Sequence, residues 1–166
     1  MLAKVRVHAD RTIGRVDANL YGHFVEHMGR CVYGGLWAEM LQNRKFNGPD
    51  LHEFGVVSPW ESVGKGSGVF FNHDNTTYYA GNQSQRIRVR EDDGRPHGVS
   101  QGRLHLECGR RYRLRLVVRQ EGLTGPLRVT LTSDGGQVYV EREVACGEGG
   151  WHTHETELVC PADDPH

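Results

Sequence analysis

YRLRLVVRQ, residues Tyr112 to Gln120, alternates large apolar and basic residues along most of its length. Side chains on an extended chain point alternately to opposite faces, so Tyr112, Leu114, Leu116 and Val118 share one side. Arg113, Arg115 and Val117 share the other. One face suits a core and the other suits water, the pattern of an antiparallel strand with one side covered. A helix of the same composition would need its apolar residues three and four apart.

The pattern repeats outward from this run. LRVTLT sets Leu127, Val129 and Leu131 on one side, and Ser133-Asp134-Gly135-Gly136 offers the positive-φ positions of a turn into QVYVERE, which predicts a hairpin. VFFNH, QRIRVR, GRLHLE and WHTHETELV read as further strands, so about seven or eight fit between residues 55 and 160. That number suits an antiparallel two-sheet sandwich or jelly roll. Before Asn47-Gly48-Pro49 the texture differs. Lys4 to His8 reads as a strand, and LWAEMLQNRKF is compatible with a short helix bearing Leu36, Met40 and Leu41. These predict one β-to-α step over residues 1–50, followed by a mainly β domain over 51–166.

Bulk properties narrow the function. Twenty basic and twenty-one acidic side chains leave a net charge of −1, so no global field draws this chain to nucleic acid or to an anionic membrane. The arginines at 110, 111, 113 and 115 alternate as a wet sheet face does, with Glu107 and Glu121 beside them, and do not suggest nucleic-acid contact. No apolar run approaches the roughly 20 residues of a transmembrane helix. Met1-Leu2-Ala3-Lys4 leads into VRVHAD rather than a signal-peptide core, which predicts a cytoplasmic protein. Cys31, Cys108, Cys146 and Cys160 lack C-x-x-C spacing and are expected as thiols, with pairing among the last three as the alternative for a secreted protein.

Residues 23 to 37, HFVEHMGRCVYGGLW, carry the chemistry. The first five letters are H-x-x-E-H, a zinc-peptidase signature, but that site needs a helix to bring His23 and His27 onto one face. Gly22, Gly29, Gly34 and Gly35 interrupt a helix and favour an open bend. A plain structural role for Glu26, capping a turn or pairing with Arg30, is the competing interpretation. His152 and His154 would share a strand face near Glu157 or Cys160, yet two or three donors fall short of a zinc shell, and Asn72 to Asn75 reads as a solvated turn rather than a calcium site. We expect no metal and no cofactor.

ANLYGHFVEHMGRCVYGGLWAEMLQNRKF, residues 18 to 46, resembles the start of the catalytic domain of α-L-arabinofuranosidases of glycoside hydrolase family 51, through the pattern YG-x-F-x-E-H-x-G-R-x-x-YGG. Pro59-Trp60 and HGVSQGRLHLECGRRYRLRLVVR are similar, more loosely, to the carbohydrate-binding-module-like sandwich that some members carry after this first segment. The resemblance implies a retaining (β/α)8-barrel enzyme in which Glu26, at the end of the first strand, bonds hydroxyls of the arabinofuranosyl ring. It also implies that residues 51–166 form a jelly-roll, galactose-binding-like sandwich.

Chemistry limits what this length of chain does alone. A retaining glycosidase needs two carboxyl groups about 5–5.5 Å apart, and the resemblance places both on later barrel strands. A complete barrel takes about 250 residues. The expectation is an amino-terminal fragment with no catalytic residue of its own, whose partners are the rest of the barrel and an arabinofuranosyl-containing polysaccharide. An exposed apolar helix on Leu36, Met40 and Leu41 would favour self-association into a homo-oligomer. The alternative is a self-standing carbohydrate-binding module. For either, Trp60 and Trp151 are candidate sugar-stacking residues, while Phe71 and one of Tyr78 and Tyr79 are expected in the core.

Overall fold

The computed structural model describes residues 14, 15, 17, 39–49 and 55–165. The chain divides into two compact units, Met1–Glu39 and Met40–His166. In the first, Gly14, Arg15, Asp17 and Glu39 are described; all are exposed and lie outside regular structure. The strand expected at Lys4 to His8, the bend around Glu26 with His23 and His27, and Leu36 lie outside the described residues.

Among its described residues the second unit holds eight strands: β1 (Glu61–Val63), β2 (Val69–Asp74), β3 (Ser84–Val89), β4 (Gly98–Ser100), β5 (Arg111–Val118), β6 (Leu127–Thr132), β7 (Val138–Val144) and β8 (His152–Val159). All ladders are antiparallel, β1 with β4, β2 with β3, β5 with β8 and β6 with β7. Each half therefore repeats one plan, an inner hairpin bracketed in sequence by an outer pair. Among the described residues there is no helix.

The β5–β8 register explains why the alternating runs are strands. Tyr112 faces Leu158, Leu114 faces Thr156 and Leu116 faces His154, and these side chains share the covered side. On the other side Arg113 approaches Glu157 at 3.8 Å and Arg115 approaches Glu155 at 4.0 Å. Pairs so exposed contribute little to stability, but they keep this face hydrated. The turn from β6 to β7 closes as the glycines predict: Gly136 has φ 82° and its amide donates to the Ser133 carbonyl at 2.9 Å.

The core is small. Val56, Val57, Phe71, Leu106, Val144, Leu158 and Cys160 are buried, and each apolar side chain of this size contributes roughly 1.5–3 kcal/mol by leaving water. Val56 and Val57 precede β1 and are held there by Gln85 of β3, whose side chain donates to the Gly55 carbonyl at 2.9 Å and accepts from the Val57 amide at 3.3 Å. Tyr112 reaches out of β5 to accept a hydrogen bond from the Glu107 amide at 2.7 Å, fixing the entry to the strand.

Three expectations are corrected. GRLHLE is not a strand: Arg103 takes a left-handed φ of 61°, which breaks the pleat, and Leu106 makes only an isolated bridge to Asp164. Residues 39–46 form bends and a turn rather than part of a helix, because Asn43 (φ 46°) and Phe46 (φ 51°) are left-handed. The Asn43 side chain supplies the competing bonds, accepting from the Asn47 amide at 2.8 Å and donating to the carbonyls of Asn47 at 3.0 Å and Ser58 at 2.8 Å. Tyr78 and Tyr79 are both exposed, since they sit in the β2–β3 loop, where strand alternation does not apply.

Candidate functional site

The loop between β2 and β3 is the most elaborately held surface of the second unit. Asp74, the last residue of β2, accepts through one carboxylate oxygen from the Thr76 hydroxyl at 2.7 Å, the Thr77 amide at 2.8 Å and the Thr76 amide at 3.0 Å. Its other oxygen meets Arg86 of β3 at 3.3 Å. The Thr76 hydroxyl above all, then the two amides, holds the Asp74 carboxyl below the usual carboxylate range against an opposing cost of burial. The contacts of that oxygen are all made inside the loop, and of the expected turn Asn72 to Asn75 only Asn75 leaves the strand, the first three residues being the end of β2.

The far side of the loop is tied as firmly. Ser84 donates to the Thr77 carbonyl at 2.7 Å, and the Gln83 side chain donates to the carbonyls of Phe46 and, at 3.0 Å, Gly48. Gly81, at φ 89°, lies where a β-carbon would approach Asn47 Oδ1 to 3.1 Å, so the loop and residues 46–48 pack closely. Phe46 in turn stacks on Trp60, ring centroids 4.9 Å apart and planes tilted by 34°.

The two candidate tryptophans therefore differ. Trp60 is half-buried, and its indole N–H donates to the Asn43 carbonyl at 3.1 Å. Its ring and its one donor are both used within the fold. Trp151, directly before β8, is half-buried against Tyr79 of the β2–β3 loop, centroids 6.3 Å apart and planes 56° apart. Tyr79 is 55% exposed and Tyr78 is 43% exposed. Sequence reasoning named Trp151 but assigned one tyrosine to the core; the signal that would have placed both outside is the Asx-turn spelled by Asp74-Asn75-Thr76-Thr77. Glu26 lies outside the described residues, so its position relative to these aromatics is not described.

The remaining polar clusters are structural. His97 sits between two acceptors, its Nδ1 donating to the Gly64 carbonyl at 2.6 Å and its Nε2 lying 3.0 Å from the Asp93 carboxylate, which ties the β3–β4 connection to the end of β1. Asp93, bonded chiefly by the Arg95 side chain, is held down at about 2. On β8 His152 is exposed and His154 half-buried, with ring centroids 6.5 Å apart, and among the described residues no group of three metal-binding side chains forms. Cys108, Cys146 and Cys160 are free thiols; burial pushes the Cys146 thiol up.

The second unit is thus a β-rich unit whose β2–β3 loop presents two exposed tyrosines, one of them against Trp151. The chain is 29% identical to Alpha-L-arabinofuranosidase 1 of Arabidopsis thaliana over 174 aligned residues, covering 97% of this chain and 26% of that protein. It is 30% identical to the extracellular exo-alpha-L-arabinofuranosidase of Streptomyces chartreusis over 82% of this chain and 16% of that protein. A 33-residue stretch is 48% identical to Alpha-L-arabinofuranosidase C of Emericella nidulans. No family model and no solved structure matches. The chain is thus similar to α-L-arabinofuranosidases, and it spans about a quarter or less of the length of these proteins.

Proposed function

We propose that this chain is the amino-terminal part of a retaining α-L-arabinofuranosidase, which removes terminal α-L-arabinofuranosyl groups from arabinose-containing polysaccharides. The first unit supplies the opening segment of the (β/α)8 catalytic domain, with Glu26 bonding ring hydroxyls of the departing sugar. The second unit is a jelly-roll sandwich of the galactose-binding type. The observation that carries this reading is the similarity to Alpha-L-arabinofuranosidase 1 along 97% of the chain, within a protein of which the match covers 26%.

Retaining hydrolysis places one carboxyl group to protonate the leaving oxygen and a second to attack the anomeric carbon. Glu26 performs neither step in this reading; it orients the sugar, and orientation is worth orders of magnitude in rate. The acid/base and the nucleophile belong to later strands of the barrel. The 166-residue chain should therefore not turn over 4-nitrophenyl α-L-arabinofuranoside above a buffer control. In a longer polypeptide that contains it, Glu26→Ala should lower kcat/KM by about a hundredfold, the loss of roughly 3 kcal/mol of charge-assisted hydrogen bonding to a hydroxyl. Turnover by the chain alone, or a Glu26→Ala enzyme equal to its parent, overturns the proposal.

A second reading, a carbohydrate-binding module that acts without catalysis, draws support from the compactness of Met40–His166 and its exposed aromatics. Deleting residues 1–39 separates the two, because only a self-standing module keeps its full role after that loss.

A further inference from the structure

We propose that Tyr79 and Trp151, with Tyr78 beside them, form a stacking platform that holds a neutral polysaccharide chain. The proposal takes from the arabinofuranosidase reading only its choice of sugars to test. Three observations carry it. The first is exposure: two adjacent tyrosines stand 43% and 55% exposed, and Tyr79 meets Trp151 with the planes opened by 56°. Rings splayed in this way leave an open aromatic surface on which the C–H face of a sugar ring can rest. Large exposed aromatics are costly to solubility unless something covers them in use.

The second observation is rigidity. A loop that merely bridges two strands needs few internal bonds. Here the Asp74 carboxylate, the Ser84 hydroxyl and the Gln83 amide all fasten it, and Gly81 brings it against Asn47. Two residues before Trp151 the chain is tied as well, the Gly149 amide donating to the Gln120 carbonyl at 3.2 Å and the Gln120 side chain accepting from the Leu123 amide at 2.9 Å. Pre-ordered aromatics lose little entropy when a ligand docks.

The third is charge. From Asn75 to Gln85 no side chain carries a charge, the longest such run in a chain that is 25% charged, and Asn75 and Asn82 supply amide groups at its surface. Asp74 and Arg86, which flank the run, bond each other. An anionic ligand such as nucleic acid finds no cation in this loop, whereas sugar hydroxyls find amides and ring faces. The occupant that fits is an uncharged glycan.

Affinity electrophoresis of the 166-residue chain through gels containing debranched arabinan, arabinoxylan or unsubstituted xylan tests this. Retardation by at least one of the three is expected, and which one identifies whether arabinosyl or xylosyl rings are stacked. Tyr79→Ala and Trp151→Ala should each weaken retention about three- to tenfold, and Tyr79→Phe should retain it, because the ring and not the hydroxyl makes the contact. Circular dichroism melts establish that the variants are folded. Should Trp151→Ala melt early, Tyr78→Ala replaces it as the second variant, with the same expected loss. No retardation of the parent by any glycan overturns the platform, as does unchanged retention in folded Tyr79→Ala. Loss of the catalytic reading leaves a different signature: glycan retention intact beside a longer enzyme indifferent to Glu26→Ala.

Discussion

Replacing Trp60 distinguishes a sugar ligand from a structural anchor. In Trp60→Ala three contributions disappear together. The indole-to-Asn43 hydrogen bond, made at 3.1 Å, is worth about 0.5–1.5 kcal/mol. The Phe46 ring contact at 4.9 Å adds about 0.5–1.5 kcal/mol. Roughly half of the indole surface, about 100 Å², returns to water at roughly 25 cal/mol per Å², or about 2.5 kcal/mol. These overlap and the exposed side relaxes, so a net loss of about 3–4 kcal/mol is expected. With a urea slope of about 2 kcal/mol/M, typical of a domain of this size, the unfolding midpoint falls by about 1.5–2 M. Trp60→Phe keeps the ring contact and loses the hydrogen bond, for about 1–1.5 kcal/mol and a midpoint shift of about 0.5–0.8 M.

The same geometry fixes the functional outcome. Since the only donor and one face of Trp60 are used inside the fold, glycan retention measured well below the unfolding midpoint stays at the parent's value in Trp60→Phe. The reasoning fails if Trp60→Ala unfolds at the parent's midpoint while its retention drops, because that pairing describes an exposed ligand and not an anchor.

Three further outcomes follow from the contacts described. Asp74 has a folded-state pKa below its ordinary value of 3.8, so its contribution to stability is fully present above that value and is lost as pH falls through the depressed one; the melting-temperature gap between parent and Asp74→Asn should be constant from pH 7 to about 5 and close in stronger acid. Gly64→Ala places a β-carbon 2.0 Å from the Pro96 carbonyl oxygen at φ 70°, whereas Gly136→Ala at φ 82° meets nothing within 4 Å; chemical denaturation should show about 1 kcal/mol lost for Gly136→Ala and at least twice that for Gly64→Ala. Arg115→Ala removes an exposed pair at 4.0 Å and should leave the denaturation midpoint within about 0.5 kcal/mol of the parent, with no added salt dependence.

What was legible in the sequence was whatever repeats with period two. The runs that became β2, β3, β5, β6, β7 and β8 are long enough for alternation to stand out, and in β5 and β6 the covered faces are the expected ones, whereas in β3 the apolar Ile87 and Val89 are exposed. β1 and β4 have three residues each, too few to show a period, and they pair only because β2 and β3 turn the chain back between them. GRLHLE has perfect alternation and is not a strand, because its register is broken by a backbone dihedral at Arg103 that no periodicity reports.

The misjudged site residues share that cause. Pattern reasoning assigns an adjacent aromatic pair one inside and one outside place, which holds only if the backbone is pleated there. In Tyr78-Tyr79 it is not, because the Asp74 carboxylate captures the amides of Thr76 and Thr77 and turns the chain out of the sheet before the pair is reached. Asn43 acts likewise on LWAEMLQNRKF, trading helical bonds for its own contacts to Asn47 and Ser58 and thereby delivering Phe46 to Trp60. In both places a short polar side chain outbids the local pattern, and in both the result is an aromatic ring set where alternation would not put it: one ring turned inward to brace the fold, the other turned outward. The outward ring is the one left with a free face, so the question of what this surface recognises is decided at Tyr79 and Trp151 rather than at Trp60.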